Sequence, residues 1–417
     1  MENKVNNSYA WWIVFAGFML MFSTIGILVN CNSVFFKPII ENMGFSRASF
    51  SLTFTIISLA AMIAAPFMGK FLTKYNARLL MGISLLMCSL CFAGYSLCQT
   101  LPQFYILSIF VGVGMAGISV IPVSMMITNW FAEKRGLAIG LAFTGSGIGG
   151  MLLNPLTNWL IINYGWQAAY QVLGAIMLFT LAPIILFIVS IVPAEKGLLP
   201  YGLTAEQEAS LSAENLPGLT LKEALKTDTF WFLAVAMLLI GVTNTGIQQH
   251  IVPCLTDMGY TSTFAANIMA LYLAVGVLGK LLLGNIFDRW GIKAGMAYAC
   301  TLLVATLVAL AGGKIMVIAV LFAVLYGLSN PISTVPGPFI TANLFGQKDY
   351  GVVYGVISIA MTLGMGIGMP LSGAIYDAKG TYLPAWFLYM GLAAIILILS
   401  VIAVRKEKRL LEAEAQV

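Results

Sequence analysis

Lys280 is the candidate functional residue of this sequence, because it is a lone charged residue in a long apolar stretch. It lies eight residues before Asp288, and its nearest neighbours are aliphatic residues or glycine. A helix joining the two would place the ammonium group roughly 12 Å from its charged end, at about 1.5 Å per residue. An isolated ammonium in such surroundings favours an anion as its partner.

The composition identifies the class of protein in which this lysine lies. The chain of 417 residues is 60% hydrophobic and 9% charged, with a mean hydropathy of +0.94. Soluble domains carry about 25% charged residues, so this chain cannot cover a water-facing surface. Its apolar runs have the length, about 20 residues, with which a helix crosses a bilayer. The sequence therefore predicts an all-α membrane protein, in which helices satisfy the backbone polar groups. The net charge of +5 is spread over short loops and does not indicate nucleic-acid binding.

Twelve transmembrane helices are predicted. Their ranges are 11–33, 46–68, 79–98, 103–128, 136–161, 167–192, 229–250, 263–287, 293–312, 315–338, 351–376 and 382–404. A long polar stretch separates two sets of six. We therefore predict an N-terminal half over 1–192, a cytoplasmic linker over 193–228, and a C-terminal half with a short cytoplasmic tail over 229–417.

The basic residues orient the chain. The loops on one side hold only Lys37, Arg47, Lys314 and Lys379, and apart from Lys280 the other lysines and arginines fall on the opposite side. Cytoplasmic loops are enriched in lysine and arginine. We therefore expect a multi-pass protein of the cell membrane with both termini in the cytoplasm, present in the lipid bilayer as a monomer.

The two halves repeat one another at a constant separation along the chain, which we call the repeat interval. The same interval separates Gly69 from Gly284, Gly136 from Gly351, and Pro155 from Pro370, and Asn129-Trp-Phe131 recurs as Asn343-Leu-Phe345. A six-helix half has therefore been duplicated in parallel orientation, which gives two pseudo-symmetric halves. Carriers built from parallel repeats bind their substrate where the repeats meet.

One loop carries a family resemblance. The segment Gly284-Asn-Ile-Phe-Asp288-Arg289-Trp-Gly291-Ile-Lys293 resembles the signature of the major facilitator superfamily, and the N-terminal copy has Thr73 where the acid is expected. The resemblance implies an alternating-access carrier. It also implies that Asp288 and Arg289 pair with the neighbouring span, and that they act with Arg135 as gating residues.

A narrower resemblance is to the bacterial oxalate/formate antiporters and the monocarboxylate transporters. It rests on Trp130-Phe131-Ala-Glu-Lys134-Arg135-Gly136-Leu-Ala-Ile-Gly140, on Val34-Phe-Phe-Lys37-Pro38 and on Gly279-Lys280-Leu-Leu-Leu-Gly284. These families hold the substrate carboxylate with an arginine at the position of Lys280. Gly276 replaces an acid of several monocarboxylate transporters, and Asn30 replaces a lysine of some. The second cation of the oxalate carriers has no counterpart between Gly351 and Tyr376.

Lys280 has three interpretations. Burial could keep the amine neutral, the side chain could reach the membrane surface or backbone carbonyls, or it could line an aqueous cavity and bind an anionic substrate. The twelve predicted spans contain no Asp or Glu at comparable depth. We favour the anionic substrate, because ionisable residues inside membranes are functional by default.

Polar residues cluster at the ends of two predicted spans. Asn30 lies near the end of the first span, and the repeat interval matches it to Thr245 of the seventh. In the resembling families these two helices face the central cavity. We therefore predict Asn30, Asn244, Thr245 and Gln248 as substrate ligands, while hydrogen bonds between helices are the alternative.

His250 is the only histidine of the chain. Its imidazole ionises near neutral pH and could carry a coupled proton. Its place at the outer end of the seventh span, just before Pro253, instead favours an ordinary histidine at the membrane interface.

Two segments match the G-x-G-x-x-G pattern of nucleotide-binding loops. They are Gly145-Ser-Gly147-Ile-Gly149-Gly150 and Gly112-Val-Gly114-Met-Ala-Gly117. That motif requires a preceding strand, whereas both segments lie in predicted spans. They therefore predict close helix packing.

The sequence therefore predicts a secondary transporter that moves a small organic anion, most simply a monocarboxylate, by proton-coupled symport or anion exchange. It predicts neither an enzyme nor a bound metal or cofactor. One alternative is a proton-driven exporter of neutral or cationic compounds, which would need an intramembrane acid. Another is a non-transporting sensor, which usually adds a long cytoplasmic tail, whereas the segment after Val404 is short.

Overall fold

A computed structural model describes residues 7–202, 218–313, 315–346 and 349–414. Within these ranges the chain is helical apart from connecting segments and two isolated β-bridges. Ten helical stretches are long and apolar enough to cross a membrane. Two of them contain one glycine with a non-helical backbone, Gly165 and Gly291, and so each makes two crossings. The described chain thus has twelve spans, which confirms the predicted all-α membrane class.

The spans are numbered 1 to 12 in chain order. Those of the N-terminal part are formed by Asn7–Ile25 with Asn32–Met43, Arg47–Lys74, Ala77–Gly94, Leu101–Ile118 with Val120–Trp130, and Arg135–Pro183, which contains spans 5 and 6. Those of the C-terminal part are formed by Asp228–Gln248 with Ile251–Asp257, Ser262–Ala311, which contains spans 8 and 9, Met316–Ser329 with Pro336–Phe345, Tyr350–Lys379, and Leu383–Glu414. The short helix Leu221–Ala224 precedes span 7.

The predicted end of span 7 at residue 250 is wrong. A turn at Gln249 and His250 is followed by the further helix Ile251–Asp257, so the span reaches an acidic residue. The prediction failed because apolar runs mark only the hydrophobic part of a span. Polar residues at 243–250 masked the continuation.

Contacts within the chain define two units. The first comprises Met1–Phe45 and Ile56–Ser212, and the second comprises Ser46–Thr55 and Ala213–Val417. The start of span 2 therefore belongs to the second unit, although the sequence placed all of span 2 in the N-terminal half. The contacts of Arg47, described below, are the physical reason.

Spans 1, 4, 7 and 10 are all interrupted. Span 1 contains a π-helical turn at Gly26–Asn30, span 4 loses helical geometry at Ser119, and span 10 passes through the 3-10 turn Asn330–Ser333 before Thr334. Ser119 and Thr334 are separated by the repeat interval, so the two units share this interruption. Irregular backbone at membrane depth is tolerated where it is buried in protein or lines a cavity. The backbone at each of these interruptions is therefore expected either to be buried in protein or to line a cavity.

The glycine-rich segments are helix-packing surfaces, as predicted. A methyl group on Gly149 would overlap the backbone carbonyl of Phe22, and one on Gly364 would overlap that of Leu238. Gly149 and Gly364 are also separated by the repeat interval. Each unit therefore packs its fifth span against its first span through an equivalent glycine: span 5 against span 1, and span 11 against span 7.

Replacing Gly149 by leucine should lower the melting temperature of the detergent-purified protein, because overpacking of a close contact costs about 1–3 kcal/mol. Gly140 lies on the same span with nothing near its missing side chain, and Gly140→Leu is the matched control that should melt like the parent. Equal melting temperatures for the two variants would contradict the packing role of Gly149.

Candidate functional site

Lys280 lies on span 8 and is partly buried. Gly276 lies one turn before it, and Leu283 and Gly284 lie one turn after it. Within the described ranges, no ion pair or hydrogen bond engages its side chain. The structure therefore leaves this lysine among apolar neighbours of its own helix.

Span 8 is held against span 10 on the side of the helix next to Lys280. Gly279 faces the carbonyl oxygen of Gly327, from which a methyl group on Gly279 would be only 2.5 Å away. Two turns before Lys280, the ring of Tyr272 packs on that of Tyr326 with centroids 4.8 Å apart. The Tyr326 hydroxyl donates to the backbone carbonyl of Asn244 at 3.3 Å. Spans 7, 8 and 10 are thus joined close to the lysine.

The two tyrosines are contributors that the sequence reasoning missed. Tyr272 and Tyr326 are both buried, each with 1% of its surface exposed. The available signal was the spacing of Tyr272, Gly276 and Lys280, since residues four apart lie above one another on a helix.

The predicted ligands of span 7 have different surroundings. Thr245 is fully buried, and its hydroxyl lies 2.8 Å from the backbone carbonyl of Met365 on span 11. Asn244 and Gln248 are each 7% exposed and lie close to the interruption of span 7. The hydroxyl of Thr245 therefore contributes to helix packing, and Thr245, Asn244 and Gln248 all remain predicted ligands.

Asn30 ends the π-helical turn of span 1 in the first unit. It is 4% exposed, and its amide nitrogen donates to the backbone carbonyl of Ser146 on span 5 at 2.8 Å. Its repeat equivalent Thr245 likewise bonds a carbonyl of the fifth span of its own half. The two residues that are equivalent in the sequence thus each bond the fifth span of their own half, and Asn30 remains a predicted ligand.

His250, expected at the membrane interface, has a side chain that is fully buried in the protein. Its Nε2 lies 2.9 Å from the carbonyl oxygen of Met369, and its Nδ1 lies 3.0 Å from the hydroxyl of Tyr382. A carbonyl oxygen can only accept, so Nε2 carries the hydrogen. Nδ1 of the neutral ring then accepts from the tyrosine hydroxyl.

Arg47, at the start of span 2, joins the same network. Its Nη2 lies 2.8 Å from Oδ2 of Asp257, with the two side chains 12% and 20% exposed. Its Nη1 donates to the hydroxyl of Tyr382, and its guanidinium carbon lies 3.6 Å from the ring centre of Tyr376. Asp257, Arg47, Tyr382 and His250 therefore form one continuous chain of contacts in the second unit, which we call the Arg47 cluster.

Backbone contacts fix the same end of span 2. The carboxylate of Asp377 accepts from the backbone N–H groups of Arg47 at 3.2 Å and Ala48 at 2.8 Å. Gly373 of span 11 packs directly against the backbone at the start of span 2, since a methyl group on it would be 2.9 Å from the nitrogen of Ala48. These contacts explain why residues 46–55 belong to the second unit.

Sequence reasoning missed the Arg47 cluster for two reasons. Arg47 entered the analysis only as a loop charge that orients the chain, and Asp257 lay beyond the predicted end of span 7. Neither residue has a local motif that links it to the other, because the two lie in different halves of the sequence.

The predicted gating residues lie apart from this network. Asp288 and Arg289 are exposed beside Gly291, and neither forms an ion pair within the described part of the chain. Asp288 borders a cavity of about 620 Å³ that is also lined by Phe287, Lys293 and Asn343. The expected pairing with a neighbouring span is absent from this conformation of the described residues. Arg135 begins span 5, but its side chain lies outside the described residues.

Replacing Asp257 by asparagine should destabilise the purified protein, because it leaves the Arg47 guanidinium without its counter-charge. Removing one partner of a buried pair costs about 3–5 kcal/mol, and the partial exposure of this pair places the loss below that range. The melting temperature of the detergent-purified variant measures the effect.

The control is Glu41→Gln, which breaks the pair of Lys37 and Glu41 with side chains 25% and 66% exposed and atoms 3.7 Å apart. Exposed pairs contribute about 0–1 kcal/mol. If Asp257→Asn and Glu41→Gln shifted the melting temperature equally, the Arg47 cluster would not be a structural anchor.

Comparison with known protein families gives one match over most of the sequence. The family described as "Major Facilitator Superfamily" matches residues 12–336 and 251–416.

Comparison with known proteins finds transporters. The chain is 24% identical to monocarboxylate transporter 12-B of Danio rerio, over 94% of this chain and 87% of the relative. It is 24% identical to monocarboxylate transporter 13 of Rattus norvegicus, over 90% and 85% of the two chains. It is 26% identical to the MFS-type transporter pytF of Aspergillus terreus, over 68% and 90%.

Solved structures share the fold at lower sequence identity. The nucleoside transporter NupG superimposes with a TM-score of 0.71 at 16% identity, over 95% of this chain and 99% of the other. A bacterial homolog of the human lysosomal transporter Spinster, in an inward-facing and unoccupied conformation, gives a TM-score of 0.68 at 17% identity, over 96% of both chains.

Proposed function

The chain belongs to the major facilitator superfamily and is a membrane transporter rather than an enzyme, and on that premise we propose that it carries a small organic anion across the cell membrane. The proposed substrate is a monocarboxylate, and Lys280 is its anchor. The observation that carries the proposal is the partly buried ammonium of Lys280, which no described side chain neutralises.

Electrostatics support an anionic substrate. A charge near the bilayer centre costs on the order of 2.5–3.5 kcal/mol, and a carboxylate at hydrogen-bond distance offsets that cost. One lysine matches one carboxylate better than two. The similarity to monocarboxylate transporters supports the same class of substrate.

The same charge suggests how transport is coupled. With an anion bound, the site is neutral and crosses the membrane interior at low electrostatic cost. Without one, the carrier must return either with a second anion, which is exchange, or with Lys280 deprotonated, which amounts to symport of a proton with the anion. Both modes follow from Lys280 alone and need no second titratable residue.

His250 is less suited to carrying the coupled proton than the sequence suggested. Both of its ring nitrogens are occupied, and a proton added to Nδ1 would face a hydroxyl that already accepts from Arg47. A charged imidazole would therefore share the Tyr382 oxygen with Arg47 and lie near its fixed positive charge.

A proton-driven exporter of neutral or cationic compounds would need an acid available to protons or cations. Asp257 is a partly buried acid that the sequence analysis had not counted, but it is paired with Arg47. Its charge is already balanced, which favours the anion carrier over this alternative.

Replacing Lys280 by glutamine should reduce carboxylate uptake by roughly 10- to 100-fold, because a charge-assisted hydrogen bond contributes about 1.5–3 kcal/mol. Uptake of a labelled acid into proteoliposomes measures the effect, and gel filtration confirms that the variant is folded. Lys226→Gln, which removes an exposed lysine just before span 7, is the control that should transport normally. Full transport by Lys280→Gln would refute the anchor.

A panel of carboxylates should raise the melting temperature of the purified protein. A ligand at 100 times its Kd stabilises the folded state by about 2.7 kcal/mol, and the stabilisation should vanish in Lys280→Gln. If every anion were silent while a neutral sugar or an amine stabilised the protein, the proposed class of substrate would be wrong.

A further inference from the structure

Two glycines on span 8 meet the same carbonyl oxygen in different ways. A methyl group on Gly279 would be 2.5 Å from the oxygen of Gly327, so helix packing requires glycine there. A methyl group on Gly276 would be 3.7 Å from that oxygen, which is ordinary contact. Packing therefore explains Gly279 and does not explain Gly276.

Glycine inside a helix is unfavourable relative to alanine, because it has more conformational freedom to lose on folding. Gly276 also has a helical backbone rather than the positive φ angle that only glycine adopts readily. Neither the backbone nor the neighbouring span requires a missing side chain at this position. What glycine supplies here is the space itself.

That space lies beside the proposed anchor. Residues four apart lie on one face of a helix, and side chains lean towards the helix N-terminus, so Lys280 leans towards Gly276. Within the described chain, the oxygen of Gly327 is the single atom within 4 Å of the added methyl position, apart from the helix backbone itself. The stem of Lys280 therefore does not fill the space.

We propose that Gly276 is a specificity-determining residue, which leaves a notch for the apolar part of a monocarboxylate whose carboxylate rests on Lys280. This inference rests on the proposed function. Leu273 lies a further turn towards the N-terminus of the same helix and is largely buried. The notch therefore favours acids that carry an aliphatic chain over acetate.

The experiment measures inhibition of uptake by acetate, butanoate and hexanoate in proteoliposomes. In the parent protein, inhibition should strengthen by up to about fourfold for each methylene that leaves water. In Gly276→Leu the leucine side chain fills the notch, so the advantage of hexanoate over acetate should fall at least tenfold while acetate itself still inhibits. Gly276→Ala should retain part of the advantage and should fold as well as the parent.

Gly284→Leu is the matched control. Gly284 lies one turn after Lys280 on the same helix, and a methyl group there meets nothing within 4 Å. The lysine side chain leans the other way, towards the helix N-terminus and Gly276. Its chain-length profile should match that of the parent.

The outcomes separate the two proposals. An unchanged chain-length profile in Gly276→Leu, or the same change in Gly284→Leu, would overturn the notch and leave Lys280 as the anchor. If Gly276→Leu failed to fold, the profile of Gly276→Ala would decide, and no loss of the hexanoate advantage there would overturn the notch. Full carboxylate transport by Lys280→Gln would instead overturn the proposed function, and the notch with it.

Discussion

A positive charge inside an apolar helix is the constraint on which the proposed chemistry of this transporter depends. Lys280 is held in place by the packing of its helix, since Gly279 seats span 8 against Gly327 and the Tyr272–Tyr326 pair fixes the same two spans further along. The described protein positions the ammonium group but supplies no counter-charge to it. The helix is fixed while the ammonium has no counter-charge among the described residues, which is the basis of the proposed anchor role.

Arg47 shows how this chain treats a cation that serves structure. Its guanidinium has an acid at 2.8 Å and an aromatic ring at 3.6 Å, and it donates to the Tyr382 hydroxyl. A planar guanidinium suits several simultaneous partners, whereas a lysine ammonium is a compact charge on a flexible stem. Arg47 has several protein partners, whereas Lys280 has none among the described residues. This contrast distinguishes a structural cation from the proposed ligand-binding cation more clearly than burial does.

The sequence was sufficient for the class, the number of spans and the glycine-mediated packing, because apolar length and small-residue spacing act locally along one helix. It was insufficient wherever two distant segments meet. Arg47 and Asp257 have no shared motif, and His250 looked interfacial because its helix was thought to end there. Asn30 and Thr245 were correctly matched as equivalents, but only coordinates could show that their polar groups bond the neighbouring helix. The sequence likewise does not show that Gly279 is packed tightly against Gly327, Leu328 and Pro331 while Gly276 is not.

The two halves share their packing contacts, but Lys280 and Asp257 have no charged equivalents in the first half. Gly149 and Gly364 make the same contact in the two units. Asn30 and Thr245 each donate a hydrogen bond to the fifth span of their own unit. In contrast, the repeat interval matches Lys280 to Ala65 and Asp257 to Asn42. Close helix packing therefore requires glycine at equivalent positions in both halves. The charges of Lys280 and Asp257 occur in the second half alone. The proposed anchor therefore has no repeat equivalent, and the charge that would bind a carboxylate comes from the second unit alone.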